Sequence, residues 1–209
     1  MIFIDMDGTI ANFYENKNYI EAMHEQGFFY NLKPYKWVKD LNKWAENRED
    51  VYILSACLDN EFCEKEKVRW LRKYLPNVKI DNYIFCKIGE NKAKIVNEIL
   101  QKDKEKMYGM HVLVDDYSKN VYEWELQDFN YLAIKFVNGI NNKHKRHYQH
   151  KAKGFKDFAR ILKELKYWEW AEAPLFFFVR HANDRGAPSY VKQVCFTDFR
   201  ETFVKQKFF

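Results

Sequence analysis

Residues 1–9 of the chain read MIFIDMDGT, a short apolar run followed at once by two aspartates. The run at residues 2–4 predicts a strand covered on both faces, because its side chains are continuously apolar rather than alternating. Asp5 and Asp7 come directly after that strand, and Gly8 lets the backbone turn sharply and approach a ligand. Ligands of parallel α/β sheets bind beyond the carboxyl ends of the strands, so this stretch predicts both a fold and the place of its site.

The rest of the chain alternates short apolar runs with longer helical patterns. Further strands are predicted at residues 51–54, 84–85, 112–114 and 131–136, and helices at 35–47, 62–75, 92–101, 120–126 and 154–168. This alternation predicts a doubly wound parallel α/β sheet. We expect a core of residues 1–10 and 35–169, a small helical cap insert at residues 11–34, and a C-terminal α+β extension at residues 170–209. The aromatic side chains of the extension suit a homodimer contact, a lid or a partner module.

The composition is that of a globular chain. Of the 209 residues, 47% are hydrophobic and 31% charged, with 7 glycines and 4 prolines, which excludes a collagen-like, low-complexity or mainly disordered chain. There is no run of about 18 uncharged apolar residues, so no membrane span is predicted. Acidic residues near the start, with no basic region before them, predict no signal peptide. We therefore expect a cytoplasmic protein without a membrane partner, whose cysteines are reduced.

A second pair of acids follows the fourth predicted strand. Asp115 and Asp116 come directly after residues 112–114, so we expect them at the same edge of the sheet as Asp5 and Asp7. Four converging carboxylates repel one another unless a cation neutralises them. Because all these donors are oxygens, the pattern suits Mg²⁺, which takes one or two carboxylates together with water and phosphate oxygens. The structural alternative is a turn for the first pair and a helix cap for the second.

Two further residues at the ends of elements complete a phosphate-binding pattern. Ser55 ends the second predicted strand, where its hydroxyl can hold a phosphate oxygen. Lys92 begins a helix, where its ammonium can offset phosphate and carboxylate charge. A metal, a nucleophile, an acid or base, a hydroxyl and a lysine together predict phosphoryl transfer. Alternatively, Ser55 caps the next segment and Lys92 is a solvated helix residue.

The order of these motifs resembles a known superfamily. The segment Asp5–Thr9, then Ser55, Lys92 and the pair at residues 115–116 resemble the four motifs of the haloacid dehalogenase-like (HAD) phosphohydrolases. Within that superfamily the chain is most similar to the 5'(3')-deoxyribonucleotidases. Four stretches carry this resemblance: DMDGTIANF at 5–13, GFFYNLKP at 27–34, DVYILSA at 50–56 and EKVRWL at 66–71.

The resemblance implies a mechanism and a metal. Asp5 is then the nucleophile that forms an aspartyl-phosphate, and Asp7 is the general acid for the leaving group and afterwards the general base for water. Mg²⁺ is bound by the Asp5 carboxylate, the Asp7 backbone carbonyl and one carboxylate of the following pair. Of Asp115 and Asp116, the resemblance favours Asp116 as the metal ligand.

Phosphate contacts are implied as well. Ser55, Lys92 and Lys67 bind the transferred phosphoryl group, with Lys87 as the alternative to Lys92. For Lys67, which lies in the EKVRWL stretch, the structural alternative is a surface position on a helix.

Substrate contacts are implied by aromatic residues. Phe13 matches a base-stacking phenylalanine of the family, and Phe28 and Phe29 form with it an aromatic slot for a nucleobase. Stacking of a base on an aromatic side chain contributes about 1–3 kcal/mol. The alternative for these side chains is ordinary packing in the core or the cap.

The leading hypothesis is a Mg²⁺-dependent phosphomonoester hydrolase that acts through an aspartyl-phosphate, specifically a 5'(3')-deoxyribonucleotidase with small-molecule nucleoside monophosphates as substrates. The alternatives are a polynucleotide 3'-phosphatase and another small-molecule phosphatase of the superfamily. A nucleic-acid substrate would suit the basic segment NNKHKRHYQHKAK at residues 141–153, which is otherwise a solvated loop running into a helix. A non-catalytic binding module is the third hypothesis.

Overall fold

The structure, a computed structural model, describes residues 1–102, 104–107, 109–141 and 148–165. The predicted C-terminal extension at residues 170–209, the dimer contact assigned to it and the end of the last predicted helix lie outside the described residues. Residues 142–147 of the basic segment lie outside them as well. Every candidate site residue falls within the described part of the chain.

Six strands form the central sheet: β1 Ile2–Ile4, β2 Val51–Cys57, β3 Tyr83–Lys87, β4 His111–Asp115, β5 Tyr131–Phe136 and β6 His150–Ala152. Their order is β3-β2-β1-β4-β5-β6, and all neighbouring strands are parallel. The direction of winding reverses between β1 and β4, which is the point where such sheets bind their ligands. The predicted doubly wound parallel α/β sheet is confirmed.

Helices connect the strands: α1 Tyr19–Ala22, α2 Phe28–Asn31, α3 Val38–Trp44, α4 Cys63–Tyr74, α5 Lys92–Leu100, α6 Lys104–Met107, α7 Ser118–Glu125 and α8 Phe155–Glu164. Helix α4 buries Glu66, Lys67 and Trp70, which lie on one face because their spacing follows the helical period. Helix α5 begins after Asn91, whose side chain accepts hydrogen bonds from two backbone N–H groups of the first turn. This cap fixes Lys92 at the start of the helix.

The core has two layers, one on each face of the sheet. In β1, Ile2 and Ile4 point to the layer formed with α3, α4 and α8, whereas Phe3 points to the layer formed with α5 and α7. Alternate side chains of a strand point to opposite faces, so β1 is apolar throughout because both faces are covered. Trp124 of α7 packs its ring against Phe3, with centroids 5.3 Å apart.

Strand β6 was not predicted. His150 and Ala152 pair with Ile134 and Phe136 of β5 at the edge of the sheet, in a segment interpreted from sequence as basic and either nucleic-acid-facing or a loop running into a helix. The strand is three residues long and only Ala152 is buried. Such a short edge strand carries no apolar run from which it could be recognised, because one of its faces and one of its edges remain open.

The segment predicted as a cap insert, residues 11–34, has its two ends close together. Ala11 forms an isolated antiparallel bridge with Pro34, and the N–H of Asn12 donates to the carbonyl of Lys33 at 2.8 Å. Between these ends lie a 3₁₀ helix at Phe13–Glu15 and the short helices α1 and α2. Within the described residues, none of the helices has the length and apolar character that a bilayer crossing requires.

Candidate active site

Three carboxylates meet where β1 and β4 end. Asp5 follows β1, Asp115 is the last residue of β4, and Asp116 follows it. One oxygen from each lies within 4.8 Å of the others, and all three residues are buried. Three of the four acids expected to converge are therefore brought together, because β1 and β4 are neighbours in the sheet.

Lys92 neutralises part of this cluster. Its Nζ lies 2.5 Å from Asp5 Oδ1 and 2.7 Å from Asp115 Oδ2, and the side chain is only 3% exposed. The position follows from the Asn91 cap, which begins α5 at Lys92. Lys87, the alternative considered from sequence, is exposed at the end of β3.

The two neighbouring aspartates differ in how their oxygens are engaged. Both oxygens of Asp115 accept hydrogen bonds, Oδ1 from the Tyr117 N–H and Oδ2 from the Asn120 side chain in addition to Lys92. In the part of the chain that the structure describes, the hydrogen bonds to the Asp116 carboxylate reach Oδ2 alone, from the Tyr14 hydroxyl and the Asn138 side chain. This leaves the second oxygen of Asp116 available to a ligand.

Burial and neighbouring negative charges raise the pKa of two of these carboxylates, Asp5 and Asp116. Burial raises the pKa of Asp5 to about 7, with Lys92 opposing the change and Asp115 and Asp7 adding to it. Burial also raises the pKa of Asp116 well above its usual value, and the charges of Asp115 and Asp5 raise it further. A divalent cation among these oxygens would relieve both effects, so the donor set fits such a cation.

Asp7 contacts helix α4 through Lys67. The fully buried ammonium of Lys67 donates to Asp7 Oδ2, to the carbonyl of Ala56 and, at 3.0 Å, to the hydroxyl of Ser55. Asp7 Oδ1 is buried and has no hydrogen-bond partner among the described residues. Lys67 is thus an interior residue in contact with Asp7 rather than a surface lysine.

The turn after β1 allows a close approach to Asp116. Gly8 has φ +80, and a Cβ at this position would lie 2.5 Å from Asp116 Oδ2 and 2.7 Å from the Tyr14 ring. Thr9 is buried beside it, and its hydroxyl donates to Asp5 Oδ2 at 3.3 Å and accepts from the Asp116 N–H at 3.1 Å. Glycine is therefore required at residue 8, and Thr9 ties the two acidic turns together.

The three phenylalanines named from the sequence lie together beside Lys67. The ring of Phe13 is 5.4 Å from that of Phe28 and 6.4 Å from that of Phe29, measured between centroids. Phe29 is buried at 2% exposure, with the Lys67 ammonium 4.6 Å from its ring centroid. Phe13 and Phe28 are partly exposed, so these two rings, rather than Phe29, are accessible to a ligand.

Glu66 connects the insert to helix α4. Its buried carboxylate accepts hydrogen bonds from the N–H groups of Gly27, Phe29 and Tyr30 at 2.5, 3.1 and 3.4 Å. One turn later, Trp70 Nε1 donates to the carbonyl of Leu32 at 2.7 Å. Because Lys67 contacts Asp7 from the same helix, α4 binds both the insert and the acidic turn after β1.

Four residues at the site were not recognised from the sequence: Thr9, Tyr14, Glu66 and Asn138. Thr9 lies inside the first motif and Glu66 inside the EKVRWL stretch, so a signal was present for both. Tyr14 directly follows Phe13 in the chain and could have been suspected for that reason. The contacts of Asn138 follow from no local pattern, because its partners Gly8 and Asp116 are 130 and 22 residues away.

Comparisons with known proteins agree with this geometry. The model of a family described as "5' nucleotidase, deoxy (Pyrimidine), cytosolic type C protein" matches residues 15–165. A Staphylococcus aureus (strain MSSA476) protein named "Putative 5'(3')-deoxyribonucleotidase" is 30% identical over 66 residues, 32% of this chain and 37% of that protein. A protein of the same name from Staphylococcus epidermidis is 28% identical over 67 residues, with the same coverage. The chain thus matches little more than a third of the length of these relatives.

Among solved structures, a phosphoserine phosphohydrolase-like protein from Francisella tularensis subsp. tularensis SCHU S4 is similar, with a TM-score of 0.49 and 15% identity. The similarity covers 77% of this chain and 98% of that one. The family match contains Ser55, Lys67, Lys92 and both residues of the second acidic pair, but it begins after the Asp5–Thr9 segment. The first motif is therefore an observation independent of that match.

Proposed function

The chain belongs to the family described as "5' nucleotidase, deoxy (Pyrimidine), cytosolic type C protein", and on that premise we propose that it is a Mg²⁺-dependent phosphomonoester hydrolase. Its substrates are nucleoside monophosphates, with deoxyribonucleotides preferred, as in a 5'(3')-deoxyribonucleotidase. The membership confirms the resemblance found in the sequence. The activity and the substrates are our proposal.

One observation carries this proposal. Asp5 and Asp7, two residues apart in one turn, are each held by a different buried lysine, Lys92 for Asp5 and Lys67 for Asp7. A nucleophilic carboxylate needs a fixed orientation, and a carboxylate that exchanges protons needs an oxygen free for the reacting group. Asp5 meets the first need, and Oδ1 of Asp7, which has no hydrogen-bond partner in the described part of the chain, meets the second.

In the first half of the proposed reaction, an oxygen of Asp5 forms a bond to phosphorus while the bond from phosphorus to the ester oxygen breaks. Asp7 gives its proton to the departing oxygen, so the nucleoside leaves as an alcohol. Lys92 and the Thr9 hydroxyl contact different oxygens of Asp5, so the carboxylate is held in one orientation for in-line attack.

In the second half, Asp7 takes a proton from water as the water oxygen forms a bond to phosphorus. The bond between phosphorus and Asp5 then breaks, which releases phosphate and restores the carboxylate. Dividing the hydrolysis in this way replaces one difficult displacement by two easier ones. The same side chain serves as acid and then as base because its proton is lost in the first half and regained in the second.

Ser55, Lys67 and Lys92 are the proposed phosphate ligands. In the free protein, Ser55 and Asp7 share the Lys67 ammonium, and Lys92 lies between two carboxylates. All three donors are buried and already oriented by these contacts. Donors that are oriented before the reaction need no rearrangement as charge develops on the phosphoryl oxygens.

Mg²⁺ would be held by the Asp5 carboxylate, the Asp7 backbone carbonyl and Oδ1 of Asp116, to which no described residue donates a hydrogen bond. When bound, it supplies positive charge that keeps Asp5 ionised and offsets the charge of the phosphoryl oxygens. Asp115 is the weaker candidate as a ligand, because Lys92, Tyr117 and Asn120 already occupy its oxygens.

The exposed faces of Phe13 and Phe28 are the proposed stacking surface for a base. Both belong to the insert, and they adjoin Phe29 and Lys67, which contacts Asp7. A mononucleotide bound in this way places its base on the insert and its phosphate at the edge of the sheet. Stacking of this kind accepts several bases, because every base has an aromatic face.

Phosphate release from a panel of substrates tests this function. The panel comprises dUMP, dTMP, dGMP, UMP, a 3'-mononucleotide and a 3'-phosphorylated oligonucleotide, each with Mg²⁺. We expect turnover of the deoxymononucleotides and a loss of at least about 10³-fold in Asp5→Asn, which removes the nucleophile. Asp40→Asn, at an exposed position of α3, is the matched control and should retain full activity.

The other outcomes are equally decisive. Turnover of the oligonucleotide alone would replace the proposal with a polynucleotide 3'-phosphatase, and its rate should then fall steeply with salt, because several phosphates are contacted. Equal inactivity of the unsubstituted protein and Asp5→Asn on every ester would favour a binding module instead.

A further inference from the structure

Tyr14 connects the insert to the acidic cluster. It lies in the 3₁₀ helix after Phe13, and its hydroxyl donates to Asp116 Oδ2 at 3.0 Å. Its ring packs edge-on against Phe13 and Tyr19, with centroids 5.4 and 5.0 Å away. Because Gly8 has no side chain, the Tyr14 ring comes so close to it that a Cβ at residue 8 would lie 2.7 Å from the ring.

A second donor reaches the same oxygen from another part of the chain. The side-chain amide of Asn138, in the loop after β5, donates to Asp116 Oδ2 at 2.8 Å and to the carbonyl of Gly8 at 3.0 Å. Its own side-chain oxygen accepts from the N–H groups of Ile140 and Asn141, which fixes the amide. Tyr14 and Asn138 thus hold Asp116 Oδ2 from two sides.

The Asp116 backbone is held as well. Lys135 of β5 donates to the Asp116 carbonyl and, at 3.1 Å, to the Ser118 hydroxyl, and Thr9 accepts from the Asp116 N–H. With its backbone fixed and Oδ2 occupied, the carboxylate can turn only one oxygen toward Asp5. Mg²⁺ demands near-octahedral geometry, so a carboxylate already held to one direction binds it with less rearrangement.

We propose that Tyr14 is a positioning residue for the metal site: it fixes the orientation of Asp116, so the insert contributes a group on which cation binding depends. This inference rests on the proposed function, because it takes Asp116 as a ligand of the cation. Groups that orient a metal ligand typically change metal affinity or activity by about 10–100-fold when they are removed.

Direct titration with Mn²⁺, followed by loss of the free-ion paramagnetic resonance signal, tests the proposal without any substrate. Tyr14→Phe removes only the hydroxyl and should weaken Mn²⁺ binding by about tenfold. Tyr19→Phe is the matched control, because Tyr19 belongs to the same insert and ring cluster but, among the described residues, makes no contact with Asp116. It should bind Mn²⁺ within about twofold of the unsubstituted protein.

Thermal unfolding without metal checks that both variants fold alike, and a shared midpoint assigns any difference in Mn²⁺ affinity to the site. Equal Mn²⁺ affinity of Tyr14→Phe and the unsubstituted protein would overturn the inference, as would the absence of Mn²⁺ binding by the unsubstituted protein. If Mn²⁺ binding depends on Tyr14 but no ester is hydrolysed, the inference stands and the proposed function fails. If esters are hydrolysed and Tyr14→Phe binds Mn²⁺ as the unsubstituted protein does, the proposed function stands and the inference fails.

Discussion

His111 and Asp115 lie at opposite ends of the same strand, β4, and both are fully buried. At the amino end, His111 Nε2 lies 3.2 Å from the carbonyl of Met107, and Nδ1 has no hydrogen-bond partner among the described residues. Burial lowers the pKa of His111 to about 3, so the ring is neutral. At the carboxyl end, Asp115 contacts the Lys92 ammonium and two further donors.

The difference between the two ends arises from the elements beyond the sheet. Around His111 the neighbours are aromatic, with the rings of Phe3 and Tyr131 at 6.4 and 4.9 Å, and the Met107 carbonyl does not outweigh the lowering of the ring's pKa by burial. Around Asp115, helix α5 delivers a lysine from its first turn. Burial without a charged partner therefore favours a neutral group, whereas an oriented ammonium beside a buried carboxylate stabilises its charge.

Removal of Lys92 should have the largest effect, because it takes away the positive charge at the Asp115 end of β4. Lys92→Met leaves Asp5 and Asp115 buried without their shared cation. We expect phosphate release to fall by about 10²–10³-fold and the free energy of unfolding to fall by about 3–5 kcal/mol, the usual range for a broken buried pair. Urea unfolding and the phosphate-release assay measure the two quantities.

Lys94→Met is the control for this substitution. Lys94 lies on the same helix two residues later and is exposed, so its replacement should change the free energy of unfolding by less than about 0.5 kcal/mol. If the two variants lose activity equally, Lys92 has no special part in the site.

Glu66 sharpens the comparison, because its buried carboxylate is held by backbone N–H groups rather than by a lysine. Glu66→Ala removes the acceptor for Gly27, Phe29 and Tyr30. We expect a loss of about 2–3 kcal/mol in the free energy of unfolding and a higher KM for mononucleotides, since the aromatic rings shift. Glu64→Ala, at an exposed position of the same helix, should change neither quantity, and an unchanged KM in Glu66→Ala would separate the insert from substrate binding.

The smallest expected effect concerns His111 at the amino end of β4. Its burial should make the free energy of unfolding fall as the pH becomes acidic. His111 has a pKa of about 3 when folded and about 6.5 when unfolded, so the unfolded chain gains the proton first as the pH falls. The contribution of the neutral His111 ring to the free energy of unfolding is fully present above pH 6.5. It declines between pH 6.5 and 3, by about 2 kcal/mol at pH 5. Urea unfolding at pH 7.5 and pH 5 measures this decline.

In His111→Gln the free energy of unfolding should decline less between pH 7.5 and pH 5, by about 2 kcal/mol, because no ring is left to protonate. His24→Gln, at an exposed position in the insert, should behave as the unsubstituted protein does. A decline that is identical in all three proteins would show that His111 is not the group responsible.

The sequence predicted those parts of the site that follow from local pattern. Acids at strand ends and a lysine at a helix start were recognisable because each stands beside the element that positions it, and the parallel sheet then brings them to one edge. The contacts of Tyr14 and Asn138 were not predictable, because they depend on distances between segments far apart in the chain. Strand β6 was missed because an edge strand of three residues needs no apolar run.

The bridge between Ala11 and Pro34 gives the insert the character of a replaceable module. A segment whose two ends meet can be lengthened or exchanged with little effect on the strands, since the entropy of loop closure grows only slowly with length. Under the proposed function, evolution and protein engineering could therefore vary substrate preference here while the sheet and its acids remain unchanged. Two attachments must survive any such graft: a donor in the place of Tyr14 for Asp116, and N–H groups that can meet Glu66.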